Sequence, residues 1–325
     1  MADVSQYLFV TGAILLLLAF MAATAHTTLL ATGRRSLTAL RIGAAEPMVA
    51  SGLTGTGAGA VVAAPATQLS AGAPGVTVAG AQAAISTTTA GAIGHGLTWA
   101  SFLLLAGSLA TRATVVGRGP WGNMYEFSIA FAVGILGGYL LLGRRYPIRS
   151  LAFLPLGAAL FLAGYAATLP AAIEPLVPAL DNAPLLTVHV ALAMIAYGVL
   201  AISFAAAVGY LLQGETDRFT WLPSHRVLDE VAYRSVILGF PVFASMIILG
   251  SYWASIAWGR YWGWDPKETS ALVTWLIYAI YLHARSRRDW AGRPAAIILV
   301  VGFGAVLFTY FGNLFFSGLH AYSGL

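Results

Sequence analysis

Eight stretches of roughly 20 apolar residues constrain this chain more than any other feature. They run at about 7–29, 93–112, 123–142, 149–168, 185–212, 235–254, 270–286 and 294–316. A run of that length matches the hydrocarbon core of a bilayer when wound as a helix. Lipid offers no partners for backbone polar groups, so each such run must be helical. The sequence therefore predicts an all-α polytopic membrane protein with about eight transmembrane helices. Composition agrees: 59% of the residues are apolar and only 9% are charged, against about 25% charged in soluble domains. A water-soluble enzyme and a disordered chain are both excluded.

The basic residues orient the chain. With the N-terminus outside the cytoplasm, the inner loops hold 13 arginines and the outer side holds Arg112, Arg118, Arg260 and Lys267. The positive-inside rule then places both termini outside. The net charge of +5 reflects this loop bias and is no sign of nucleic-acid binding. The first span lacks a basic leader and ends in Gly33-Arg34-Arg35, a cytoplasmic flank, so it reads as a retained helix. Three regions follow: 1–42 is the first helix with its inner flank, 43–92 a low-complexity cytoplasmic linker, and 93–325 the main membrane domain. The linker carries a single charged residue, Glu46, and is broken by Gly and Pro. Residues 214–234 carry both signs of charge beside Leu228, Val231 and Ala232, and read as a short interfacial helix capped by Ser224. Asp181 and Asn182 are placed to cap the fifth span. There is no cysteine, which excludes a thiolate metal site and thiol chemistry by this chain.

The most specific stretch is 253–269, with Trp253, Trp258, Trp262 and Trp264 inside twelve residues. An interfacial aromatic belt needs only one or two aromatics per helix end. Asp265-Pro266-Lys267-Glu268 has the form of a helix start, with Asp265 as N-cap, Pro266 at the first helical position and Glu268 reaching back in a capping box. A rigid helix start would hold Trp258, Tyr261, Trp262 and Trp264 as a shelf for a large planar ligand. Arg260 and Lys267 are placed to meet carboxylates on it.

The segment WGRYWGWDPKETSALVTWLIYAIYLHAR at 258–285 closely resembles the tryptophan-rich WWD signature of the CcsA/ResC family of system II cytochrome c biogenesis, called CcsB in some bacteria. The resemblance continues in TYFGNLFFSGLHAYSG at 309–324, WGNMYEF at 121–127, LLTVHVALAMIAYG at 185–198 and LDEVAYRSVILGFP at 228–241. The Pro-Lys-Glu-Thr after Asp265 sets it apart from the system I proteins CcmC and CcmF, which usually read Ala-Arg-Leu-Thr there.

The resemblance implies a haem-handling subunit of a cytochrome c synthase in the bacterial cytoplasmic membrane, with its active face extracytoplasmic. Haem b would be the transported substrate, its iron held by histidines. The family's two external histidines fall at His189 and His320, both at the depth of the tryptophan segment. A third family histidine matches His283, which lies 17 residues after Pro266, about 26 Å down a helix, and belongs to an internal haem site. Its partner is His26, within the first apolar run, with His95 as the competitor; His225, in a charged loop, reads as solvated. Tyr125 and Glu126 match an Asn-x-Tyr-Glu element of the family, although a carboxylate at a helix start is also favoured by the dipole. The implied partners are a CcsB/ResB-type subunit, an apocytochrome c with its Cys-x-x-Cys-His motif, and a thiol reductase system that keeps it reduced. An exporter or chaperone of the CcmC kind, handing haem on without attachment, is the alternative, and a haem-free assembly scaffold is a third reading.

Overall fold

A computed structural model describes residues 2–43, 89–173, 183–287, 290–312 and 315–320. Among these residues the regular structure is entirely helical. The helices are α1 (Ala2–Gly43), α2 (Thr89–Val116), α3 (Met124–Gly143), α4 (Phe153–Ala167), α5 (Ala183–Gln213), α6 (His225–Trp258), α7 (Pro266–Arg285) and α8 (Arg293–Phe311), with a 3-10 turn at Arg149–Leu151 before α4. Six of them are long and apolar enough to cross a membrane; α4 is shorter, with 15 residues, and α7 is more polar. At 1.5 Å per residue α4 is about 22 Å long, because the chain at 149–168 spends its first residues in the tight turn. The linker at 43–92 and the proposed caps Asp181 and Asn182 lie almost wholly or wholly outside the described residues.

One expectation is corrected. Residues 214–234 do not form a separate interfacial helix. His225 starts a single 34-residue helix that runs to Trp258 with Pro241 inside it. Ser224 occupies the N-cap position without a side-chain capping bond. Asp217 performs that task from a distance, its Oδ1 accepting from the His225 amide at 2.6 Å. The charged face of 225–234 is thus the inner end of α6, long enough to leave the hydrocarbon zone, and the apolar Leu228, Val231 and Ala232 are buried in the bundle.

Helix α5 sits at the centre, packed against α3, α6 and α8. Its crossing with α3 is unusually close. A Cβ placed on Gly198 would lie 2.2 Å from the Gly134 backbone, and one on Gly134 would lie 2.4 Å from the Met194 carbonyl oxygen. Small residues permit such an approach between membrane helices, where dispersion contacts rather than water exclusion drive packing. Helices α1 and α2 form a second tight pair. The Ser5 hydroxyl donates to the Ser108 carbonyl at 3.0 Å, and the Ser108 hydroxyl returns a bond to the Ser5 carbonyl at 2.8 Å. α1 packs further on α4, and α7 packs on α6 and α8. The bundle has two distinct ends: one carries the tryptophan segment and the other the arginine-rich turns.

Candidate functional site

At the tryptophan end the chain builds a local frame before it builds a pocket. The predicted capping box forms: Asp265 caps α7, Pro266 opens it, and Glu268 reaches back. Glu268 Oε2 accepts from the Gly263 amide at 2.8 Å and the Asp265 amide at 3.2 Å. Two orphan donors of the loop are thereby satisfied. Trp264, wedged between Gly263 and the cap, adopts φ +55°, a left-handed backbone that costs a non-glycine residue about 1–3 kcal/mol.

Above this frame lies an apolar cavity of about 1090 Å³, counted with the open space at its mouth. Its walls come from the start of α3, from α5, α6 and α7, from the end of α8, and from the chain after α8. His189 of α5 and His320 both line it. Trp253 touches both rings: it stacks on His189 at 6.4 Å and 13°, and meets His320 at 6.0 Å. Trp258 stands edge-on to His320 at 4.9 Å.

The hydrogen bonds of the two imidazoles fix which nitrogen carries the proton. His189 Nδ1 lies 2.9 Å from the Met246 carbonyl oxygen. A carbonyl only accepts, so Nδ1 bears the hydrogen and the lone pair sits on Nε2. His189 reaches that carbonyl because Gly250 lacks a side chain; a Cβ there would stand 2.5 Å from the imidazole Cε1. His320 Nδ1 lies 2.8 Å from Asp265 Oδ1. Burial pushes the His320 imidazole below its ordinary pKa, against the pull of the Asp265 hydrogen bond. Burial alone would raise the Asp265 carboxyl, but the bond and charge of His320 and the Lys267 and Leu319 amides overturn this and hold it at about 2. The Lys267 and Leu319 amides donate to Asp265, so the carboxylate is an acceptor and His320 Nδ1 carries a hydrogen. Two imidazoles held through Nδ1 to an acceptor are the arrangement metal-bound histidines use.

The structure redistributes the predicted shelf. Trp258 and Trp262 line the cavity, joined by Trp253 and Trp121. Tyr261 and Trp264 do not: they are 63% and 70% exposed, and Tyr261 borders a second apolar recess with Ile248, Tyr252 and Trp262. Left-handed backbone at Trp264 turns its indole outward, a feature that residue type alone does not reveal. Of the two cations, Lys267 lines the cavity with its ammonium over the Phe127 ring. Arg260 is exposed, its guanidinium folded over Gly263. Glu268 lines the cavity as well, with Oε2 bonded to backbone amides. Trp253 belongs to the segment singled out in the sequence; Gly250 and Trp121 meet the site across helices, and only the WGNMYEF motif marks Trp121.

Glu126 is more than a helix-start carboxylate. It is buried, ion-paired to Arg112 near the end of α2, with Arg118 at 3.7 Å, and its backbone amide donates to the Asn123 cap at 3.0 Å. This cluster pins the start of α3, where Trp121, Gly122 and Met124 enter the cavity wall.

At the arginine end His26 is 1% exposed and packs on Gly91 of α2. Arg149 lies within electrostatic range of both His26 and His95. His283 is exposed near the end of α7, two residues before Arg285. The structure thus gathers His26 and His95 around Arg149 and puts His283 on a helix whose packing partners are α6 and α8, not α1. His225 pairs with Asp217, Nδ1 to Oδ1, at 3.1 Å.

Residues 121–320, which hold this entire cavity, match the family described as cytochrome C assembly protein. Among similar proteins is one named cytochrome c biogenesis protein CcsA from Synechococcus elongatus, 35% identical over 273 residues, covering 68% of this chain and 84% of the relative. Proteins of the same name from Guillardia theta and Porphyra purpurea are 33% and 32% identical over 260 and 270 residues, covering 72% and 69% of this chain and 86% and 84% of theirs. The match takes in both cavity histidines and the tryptophan segment, and the chain is a multi-pass membrane protein of the cytochrome c assembly family, with a role in cytochrome c biogenesis.

Proposed function

We propose that this chain is the haem-handling subunit of a system II cytochrome c synthase, and that its cavity holds haem b, the transported substrate, at the extracytoplasmic face of a bacterial cytoplasmic membrane. The observation that carries the reading is the meeting of His189 and His320 in one tryptophan-lined cavity, each with Nδ1 bonded to an acceptor. An apolar cavity with indole walls suits a planar macrocycle, two Nε2 donors suit its iron, and Lys267 suits a propionate. The positive-inside bias of the loops supports an outer position for this end. The cavity mouth then presents the haem edge to the Cys-x-x-Cys-His motif of an apocytochrome c, whose two thiols form the thioether bonds. This chain contributes no thiol; its part is to bind, orient and exclude water. A thiol reductase system keeps the substrate cysteines reduced, and a CcsB/ResB-type subunit completes the synthase. Haem enters from the arginine end, where His283 acts with His26, His95 being the competitor for that role.

Purified protein tests this directly. The expected result is a Soret band of six-coordinate, bis-imidazole haem. Mixing with a reduced apocytochrome peptide and the partner subunit should yield peptide with covalently attached haem, read by mass. Haem binding without transfer would leave only the exporter reading; no haem at all would leave the scaffold.

The shelf supplies a contrast. Trp258→Ala and Trp262→Ala each remove an indole from the cavity, a loss of about 0.5–1.5 kcal/mol beyond burial, which is about 2–10-fold in haem retention. Trp264→Gly should leave retention unchanged, since the exposed indole lies outside the cavity wall, and should leave the melting temperature nearly unchanged, relief of the left-handed strain offsetting the lost Trp262 contact. Haem titration and melting of the three variants in detergent check this; equal haem loss in all three would mean the outward indole also touches the ligand.

A further inference from the structure

The cavity is shut toward the middle of the bundle. Tyr197, which lines it, meets Phe243 of α6 at 5.6 Å, and Tyr278 of α7 packs against Gly302 of α8. Phe243 and Tyr278 are both 0% exposed, and close-packed interiors leave few voids larger than a water molecule. A ligand that comes from the arginine end therefore needs another way in. The side wall offers one. The recess beside Tyr261 shares Ile247, Ser251 and Trp262 with the cavity, so these three residues form the partition between the two spaces. The Ser251 hydroxyl donates to the Tyr261 carbonyl at 2.7 Å, and the Gly263 amide donates to Glu268 at 2.8 Å. The backbone is tied on either side of Trp262, which leaves the indole as the part that can turn about its own side-chain bonds.

The recess opens on an outer face of the bundle. Phe240 of α6 stacks on Trp275 of α7 at 4.9 Å and marks the seam between these consecutive, antiparallel helices. With 3.6 residues per turn, Ile248 and Tyr252 lie about 80° and 120° round α6 from Phe240, and Leu276, Ile280 and His283 lie about 80–140° round α7 from Trp275. Equal turns away from a shared seam on antiparallel helices point to one side, and all five residues are exposed. Leu276 and Ile280 thus carry an apolar surface from the level of His283 toward the recess. We infer that the recess is a lateral mouth of the cavity: an apolar macrocycle coming from the arginine end moves along the exposed α6–α7 face and enters sideways past Trp262, while the mouth at the tryptophan end serves delivery. This rests on the reading of the cavity as a haem site. The gate sets how fast the cavity fills, and the histidines set how firmly it holds.

The chain has no cysteine, so a single one can carry a plug. Ile248→Cys, at a position 69% exposed, is labelled in detergent with a bulky maleimide and reconstituted into phosphatidylcholine vesicles that hold haem dissolved in the bilayer. The bis-imidazole Soret band should appear about tenfold more slowly than in the unlabelled variant, as for any added barrier on the route, and should reach the same final height. Labelled Tyr252→Cys should behave alike. Labelled Val301→Cys, 56% exposed on α8 and outside the recess, should fill at the wild-type rate. Haem supplied from water, which meets the other mouth, should load all three labelled proteins at the unlabelled rate. Equal rates with and without the label at Ile248 and Tyr252 overturn the inference, and so does equal slowing at Val301 or from both haem sources. A lower final height would put the plug in the ligand's own seat and overturns it too. A wild type without a bis-imidazole band from either source would instead remove the haem reading, and the inference with it.

Discussion

Alanine at His189 or at His320 should abolish both stable haem retention and holocytochrome c formation. Removing an outer hydrogen-bond partner from a metal-bound histidine costs about 10–100-fold in affinity, so losing the histidine itself sets about 100-fold as a floor. Free imidazole should restore part of the function in each variant. In His189→Ala the vacated space is bounded by Gly250 and Trp253, and the Met246 carbonyl remains as an acceptor for the added ligand's N–H. In His320→Ala the Asp265 carboxylate plays that part. The measurement is haem per purified protein and covalently loaded cytochrome in cells, with and without imidazole. Normal cytochrome levels in both variants would remove these residues from the proposed ligand set.

The second large effect concerns stability. Arg112 and Glu126 are an ion pair buried on both sides, and Arg112 also lies 5.1 Å from the Tyr125 ring centroid. Taking away one partner strands the other charge, at a cost of about 3–5 kcal/mol. Arg112→Leu and Glu126→Leu should each lower the melting temperature in detergent steeply, while the double variant should recover part of the loss, since it strands only Arg118 and the Gly122 amide, which keep access to solvent. Thermal unfolding followed by the monodisperse fraction on size exclusion reads this out. Additive losses in the double variant would show that the two groups act separately. Each single change should also loosen the α3 start, and with it the Trp121 side of the cavity.

The helical layout was legible in the sequence because a bilayer leaves each apolar run one conformation. Its errors have local causes. The charge mixture at 214–234 resembles an interfacial helix, but Asp217 caps the chain at His225 and nothing breaks the helix before Trp258. The capping box at Asp265 was readable because all its parts lie within four residues. The sequence put Trp262 and Trp264 on one shelf; their rings meet edge-on at 5.9 Å, yet Trp262 lines the cavity and Trp264, left-handed in its backbone, is exposed. Gly250 and the Asp265–His320 clasp join segments far apart in the chain, and no spacing rule announces them. At the arginine end the pairing of His26 with His283 drew on depth along the helices. Depth does not say which helices are neighbours, and the packing puts His26 beside the α2 face that also carries His95.

The close crossing of α3 and α5 has a mechanical consequence. His189 sits nine residues before Gly198 on α5, about 13.5 Å along the axis, on a helix seated backbone to backbone against its neighbour. Helices locked at that range move as one piece. His320 lies on the chain beyond α8 and is held by side chains: Asp265 through its carboxylate, Trp253 and Trp258 through ring contacts. One wall of the cavity is thus set by backbone seated on backbone, the facing one by side chains of the tryptophan segment.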